Sequence, residues 1–204
     1  MHIEFLLEEP SAEAALRHLV PKIIGTEHTF AAHPHQGKRD LLQSLPNRLR
    51  GYARWLPDDW RIVVLIDEDR QDCRELKARM EQAARAAGLA TRGAAPATSR
   101  IQVVNRIAVE ELEAWFLGDA DAVRAAYPRV PATFERRVAY RQPDGIRGGT
   151  WEALERLLQP ARYFAGGLAK IEAAGAISRH MDPARNTSRS FGAFRSALAE
   201  LVGA

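Results

Sequence analysis

Arg61-Ile62-Val63-Val64-Leu65-Ile66-Asp67-Glu68-Asp69 is the stretch that decides the fold. Five consecutive apolar residues leave no polar face, so the run predicts a strand covered on both sides, central in a mostly parallel sheet. A helix over Asp72–Ala87, stopped by Gly88, follows it, and the turn Pro57-Asp58-Asp59 precedes it. Upstream, Ile3–Leu7 reads as a buried strand and Ser11–Ile24 as a helix with Ser11 as its N-cap. Thr29–His33 reads as a weaker strand, and Lys38–Trp55 as a helix that Pro46 splits in two. Downstream come a loop over 93–99, a strand over Ile101–Ile107, and helices over Val109–Leu117 and Ala120–Tyr127. After Pro128 the residues form no further strand pattern; Trp151–Leu158, Leu168–Ile177 and Phe191–Val202 read as helices. Strands alternating with helices predict an α/β core over residues 1–128. Residues 129–204 then form a mostly helical extension packed on that core, one domain in all.

The 204 residues carry 29 basic and 26 acidic side chains, a net +3 that conceals a segregation. Residues 1–128 sum to −2 and residues 129–204 to +5. A lone cysteine, Cys73, excludes an intrachain disulfide framework and a Cys-rich zinc site. The start, Met1-His2-Ile3-Glu4-Phe5-Leu6-Leu7-Glu8, lacks the basic flank and long apolar stretch of a signal peptide. Nothing approaches 18 uninterrupted apolar residues, so no membrane partner is expected and the chain reads as cytoplasmic.

The acids fall in three groups at three strand ends. Glu8 and Glu9 follow the first strand, with Glu13 in the first turn of the next helix. Asp67 and Asp69 follow the central strand, and extended alternation points them to one side with Glu68 opposite. Glu110 and Glu113 lie three apart on an expected helix and share a face, while Glu111 turns away. Close carboxylates repel unless a cation lies between them, and hard ions such as Mg²⁺ take oxygen ligands. If the three strands are neighbours, the groups form one centre for two divalent ions, the arrangement of in-line phosphoryl transfer. Gly37-Lys38 lacks the phosphate-loop spacing, and no Ser or Cys stands in a nucleophile-elbow context. His33-Pro34-His35 reads as a solvated loop, and Trp115, Trp151 and Phe191 as core.

A Glu after the first strand and Asp-x-Asp after a later buried strand resemble the Toprim fold of topoisomerases, primases and overcoming-lysogenisation-defect nucleases. The chain is more closely similar to a Toprim-like bacterial family of unknown function, DUF4276. The stretches that carry this are Glu8-Glu9-Pro10-Ser11-Ala12-Glu13, Gln36-Gly37-Lys38-Arg39-Asp40, Leu65-Ile66-Asp67-Glu68-Asp69 and Val109-Glu110-Glu111-Leu112-Glu113-Ala114-Trp115. Gly148-Gly149-Thr150-Trp151-Glu152, Lys170-Ile171-Glu172-Ala173, Met181-Asp182-Pro183 and Ser190-Phe191 extend it through the tail. The resemblance implies that Glu8, Asp67 and Asp69 form the acidic centre, with Glu13 and a carboxylate among Glu110–Glu113 on a second ion. Toprim sequences usually place Gly after the first Glu; this chain has Glu9, so either Glu8 or Glu9 can face the ions. The resemblance also implies a separate ATPase partner, since this chain carries none.

In the basic tail, Lys170 is the candidate to stabilise transition-state charge. Lys38, Arg136, Arg137, Arg147, Arg185 and Arg189 are the candidates to grip a nucleic-acid backbone. The resulting expectation is a Mg²⁺- or Mn²⁺-dependent phosphodiesterase using two ions. It is read as a nuclease on DNA rather than RNA, in bacterial defence or DNA processing. The alternatives are a noncatalytic nucleic-acid- or nucleotide-sensing module that regulates an ATPase, and a phosphatase on small substrates.

Overall fold

The apolar run forms β3, Trp60–Asp67, in a computed structural model that describes residues 1–92 and 100–203 of the chain. The loop expected over 93–99 lies outside the described residues. β3 is flanked by β1 (His2–Leu7) and β4 (Val103–Ala108), and β2 (Thr29–Pro34) lies outside β1. All three pairings are parallel, in the order β2-β1-β3-β4, with Leu7 opposite Leu65 and Asp67 opposite Ala108. The expected α/β class, parallel sheet and helical C-terminal part are therefore present.

The order follows from two crossovers. Helix α1 (Pro10–Ile24) carries the chain from β1 to β2 on one side, and α2 (Lys38–Tyr52) carries it back past β1 to β3. This reversal makes the carboxyl ends of β1 and β3 a topological switch point, where α/β sheets open a crevice for ligands. Alternation then divides the core. Ile3, Phe5, Leu7, Val63 and Leu65 pack with Leu16 and Leu19 of α1 and with Phe191 and Phe194 of α8 (Arg189–Val202). Leu6, Ile62, Val64 and Ile66 pack on the other face with Leu41, Leu45 and Leu49 of α2 and with Leu76 and Met80 of α3 (Cys73–Ala86).

Short helices α4 (Glu113–Leu117) and α5 (Ala120–Ala126) lead into the C-terminal part, which contains α6 (Thr150–Leu158), α7 (Lys170–His180) and α8. Its apolar residues Phe134, Leu154, Ile177 and Phe194 belong to the same cluster as Phe5 and Leu16. Lys22 of α1 binds the end of α7 through the carbonyls of Ser178, Arg179 and Met181, at 3.1, 2.7 and 2.8 Å. Such a lysine both satisfies orphan carbonyls and complements the helix dipole. Trp115, Phe191 and Phe194 form an aromatic knot, closed by a 2.9 Å hydrogen bond from Trp115 Nε1 to Ser190 Oγ.

Three local expectations change. Pro46 does not split α2: its ring is on the exposed side, while buried Leu41, Leu45, Leu49 and Tyr52 hold the helix through it. Helix α1 starts at Pro10 rather than after Ser11; Glu9 is its N-cap residue, and Ser11 Oγ donates to the Glu9 carboxylate. The helix expected over Val109–Leu117 begins only at Glu113, because Glu110 takes a left-handed φ of 60°. Among the described residues, no helix is long and apolar enough to cross a membrane.

Candidate functional site

At the switch point the carboxyl ends of β1 and β3 bring Glu8 against Asp67. Glu8 Oε2 accepts the Asp67 backbone N–H at 3.0 Å, and the Glu8 carbonyl accepts the Gly37 N–H at 2.9 Å. Gly37 precedes α2 with φ 94°, a conformation that favours glycine and lets the backbone turn in beside Glu8. Asp67 is the last residue of β3 and continues the Val63, Leu65 parity, so it lies on the α1 side of the sheet.

The C-terminal part supplies the opposite wall. Glu113, the first residue of α4, is buried, and Lys170 Nζ lies 4.0 Å from its Oε1. Lys170 is also the first residue of α7, where the helix dipole disfavours a cation, so nearby carboxylates must hold it there. Its ammonium lies 5.5 Å from the centre of the Trp151 ring. Trp151 is positioned in turn by Glu111, whose Oε2 accepts from Thr150 N, Thr150 Oγ1 and Trp151 N at 2.8, 3.0 and 2.9 Å.

These groups act on one another. Burial, reinforced by Glu8, Glu113, Glu9 and Asp69, raises the Asp67 pKa well above its ordinary value. Burial likewise pushes Glu8 up to about 7, against the stabilising Asp67 N–H. Glu113 also rises to about 7 through burial, although Lys170 pulls it down. Burial opposes the charge on Lys170, but Glu113, Glu9, Glu111 and Asp67 outweigh it and keep the pKa above its ordinary value. Both Glu8 and Glu9 therefore contribute charge to the cluster.

Buried like charges of this kind need protons or a cation. Among the described residues, Glu113 Oε2 is buried without a hydrogen-bond partner. All the donors are hard oxygens, which suits Mg²⁺ or Mn²⁺. Among the described residues, no three acidic or imidazole side chains stand in a ready-made coordination shell. Glu8, Asp67 and Glu113, with Glu9 beside them, are the residues that could hold such an ion.

Several expected members are engaged by partners of their own or differ in local conformation. Asp69 does not continue the strand alternation: it takes a left-handed φ of 48°, is exposed, and pairs with Lys38 at 2.9 Å. Lys38 also donates to the Glu68 carbonyl at 2.9 Å, so it ties down the loop after β3 rather than standing free for a phosphate. Glu13 pairs with Arg17 at 2.7 Å. Glu110 does not share a helical face with Glu113; its N–H donates to Glu68 Oε2 at 3.1 Å. Arg185 is held by Asp119 through Nε and Nη2, at 2.8 and 3.0 Å. Arg136, Arg137, Arg147 and Arg189 are exposed.

Nor are the two histidines of His33-Pro34-His35 solvated in a loop. His33 lies in β2 and bonds to Glu4, and buried His35 bonds through Nδ1 to the Leu7 carbonyl at 2.9 Å. Sequence reasoning missed Glu111 and Trp151 as parts of this region. The available signal was Gly148-Gly149-Thr150-Trp151: Gly149, at φ 89°, opens α6 with backbone N–H groups that call for an anion.

Comparison with curated proteins and with solved structures finds no match for this chain. The carboxylates, Lys170 and the helices that bring them together nevertheless all fall within residues 7–199, the segment that matches the domain of unknown function DUF4276, and the chain belongs to that family.

Proposed function

We propose that the chain is a divalent-metal-dependent phosphodiesterase acting on nucleic acid, with Glu8, Asp67 and Glu113 as its metal-holding residues. The observation that carries this reading is the convergence of buried Asp67 and half-buried Glu8 at the switch point with buried Glu113, one of whose oxygens has no hydrogen-bond partner among the described residues, and with Lys170 beside Glu113. Divalent ions bound there would neutralise the scissile phosphate and lower the pKa of an attacking water. Lys170 would hold positive charge beside the phosphoryl oxygens, its ammonium positioned between Glu113 and the Trp151 ring. Glu9 adds negative charge to the same cluster and favours cation binding. Exposed Arg136, Arg137, Arg147 and Arg189 add basic surface that favours a polyanion over a small ester.

Cleavage of plasmid and single-stranded DNA in Mn²⁺, by wild type and by Asp67→Ala, tests the proposal. Wild type should cut, and Asp67→Ala should lose activity by about 10³-fold or more. Unchanged cutting by the mutant would overturn the assigned centre. No cutting of DNA or RNA would instead favour a noncatalytic nucleic-acid-sensing module.

A further inference from the structure

The acid cluster adjoins a groove between the first turns of α1 and α7. Glu9 and Pro10 line one side and Leu168, Lys170 and Ile171 the other, around a cavity of about 650 Å³. That is within the range of about 300–1,000 Å³ over which small organic groups are held. Two of its lining residues, Glu9 and Lys170, also belong to the electrostatic cluster with Glu113 and Asp67. The remaining lining is largely apolar, and Ile171 is 56% exposed, one of three large apolar side chains left so open among the described residues.

We infer that this groove seats the nucleobase of the nucleotide adjoining the phosphate at the acid cluster, with Ile171 as its main apolar contact. The inference rests on the phosphodiesterase reading above and names the part of the substrate that the chain grips besides phosphate. The occupant follows from what the groove combines. Lys170 would meet an anion at one end, while Leu168, Pro10 and Ile171 would pack on a flat apolar body close to that anion. A nucleotide within a strand has both, separated only by its sugar. A bare phosphate or a sugar phosphate would leave the apolar walls in water and gain nothing from them.

Of the polar side chains in the lining, Ser11 bonds to Glu9, Lys170 is engaged by the acid cluster and Glu172 is exposed, so the apolar walls would read the face of a base rather than its hydrogen-bonding edge. Binding should therefore tolerate any base but require one. Pro10, Ala169, Ile171 and Glu172 are exposed at the rim, which leaves room for a strand to continue past it.

The test is equilibrium binding to a single-stranded trinucleotide with a central 2-aminopurine, read by its fluorescence. An abasic trinucleotide competes against it, and each measurement is made in Mg²⁺ and in EDTA. Wild type should bind the base-containing strand about tenfold or more tightly than the abasic one. Ile171→Asp should bring that ratio close to one, Ile171→Val should keep it within about threefold of wild type, and Ile171→Trp should widen it. Ile171 is exposed, so none of these changes opens the core, and unchanged thermal melts verify this.

Equal binding of both strands by wild type, or an undiminished ratio in Ile171→Asp, overturns the inference. Asp67→Asn separates it from the parent reading. If Asp67→Asn abolishes the Mg²⁺ dependence while wild type ignores the base, the groove assignment alone falls. If Mg²⁺ dependence survives in Asp67→Asn, the acid-cluster reading falls. Failure of both strands to bind wild type sinks both.

Discussion

Asp119 and Asp67 are both buried aspartates at the edge of a regular element, and the fold treats them in opposite ways. Asp119 caps α5 and accepts from Ala122 N at 3.1 Å, Asp182 N at 2.9 Å and the fork of Arg185 at 2.8 and 3.0 Å. Every donor it needs comes from the chain itself, and the result pins the loop before α8 to the start of α5. Asp67 ends β3 with no such fork among the described residues; the charges acting on it are those of Glu8, Glu113, Glu9 and Asp69, all of its own sign. A carboxylate needed for architecture is saturated with donors, because a buried ion without partners costs several kcal/mol. A carboxylate left short of donors among its own kind is stable only if something outside the chain completes it. Glu4 repeats the first pattern: it is buried in β1 and bonded by His2, His33 and Tyr52.

Removing the two aspartates should separate these roles most widely. Asp119→Ala leaves two backbone N–H groups and Arg185 without their acceptor, and should lower unfolding free energy by about 2–4 kcal/mol. Asp67→Asn removes repulsion, and at pH 8 without metal it should leave stability unchanged or raise it by about 1 kcal/mol. Urea unfolding of both variants decides the matter. A loss in Asp67→Asn as large as that in Asp119→Ala would erase the distinction.

The pH dependence of stability should carry the next largest signal. Glu113 has its pKa raised to about 7 in the folded chain, against 4.5 for the ordinary group. The folded state thus binds the extra proton between those values. The metal-free protein should be most stable, as far as this group decides, below about pH 4.5. It should lose on the order of 2–3 kcal/mol as pH rises through 7. Glu113→Gln should flatten that slope. Mg²⁺ or Mn²⁺ competes with the same protons, so either ion should raise the melting temperature more at pH 8 than at pH 6. A melting temperature indifferent to both ions at pH 8 would place the cluster with the architectural carboxylates.

Much of this arrangement was legible in the sequence, and the failures have definite causes. The run Ile62–Ile66 fixed the centre of the sheet because an apolar run without a polar face admits few other positions. Glu8 and Asp67 were legible because strand ends at a switch point are set by topology. The local conformations of Asp69 and Glu110 were misread because both enter left-handed backbone without a glycine to mark it. The two loops fix each other: Asp69 N donates to the Glu110 carbonyl at 2.9 Å, and Glu110 N to Glu68 Oε2. That pairing is tertiary, and no local periodicity announces it. Arg185 looked like free basic surface because its partner Asp119 lies 66 residues away. Lys170 was legible through its scarcity, one of four lysines against 25 arginines, but its ring support from Trp151 was not.

Glu111 lies between the two classes and offers the finest test of the border. It is saturated by Thr150 and Trp151, yet its charge acts on Glu113 and Lys170. As an architectural group it anchors the N-terminus of α6. Glu111→Ala should then cost about 1 kcal/mol, a typical capping loss, while Glu111→Gln, which keeps an acceptor oxygen, should cost less. Through Trp151 the alanine variant should also loosen Lys170 and lower kcat for a phosphodiester more than it raises KM. Unfolding curves and steady-state kinetics on the same two variants read both effects. If Glu111→Gln instead keeps full stability but loses the Mg²⁺-induced rise in melting temperature, Glu111 works as part of the ion-holding cluster. Saturation by backbone donors would then no longer mark a carboxylate as architectural, and the line between Asp119 and Asp67 would have to rest on charge alone.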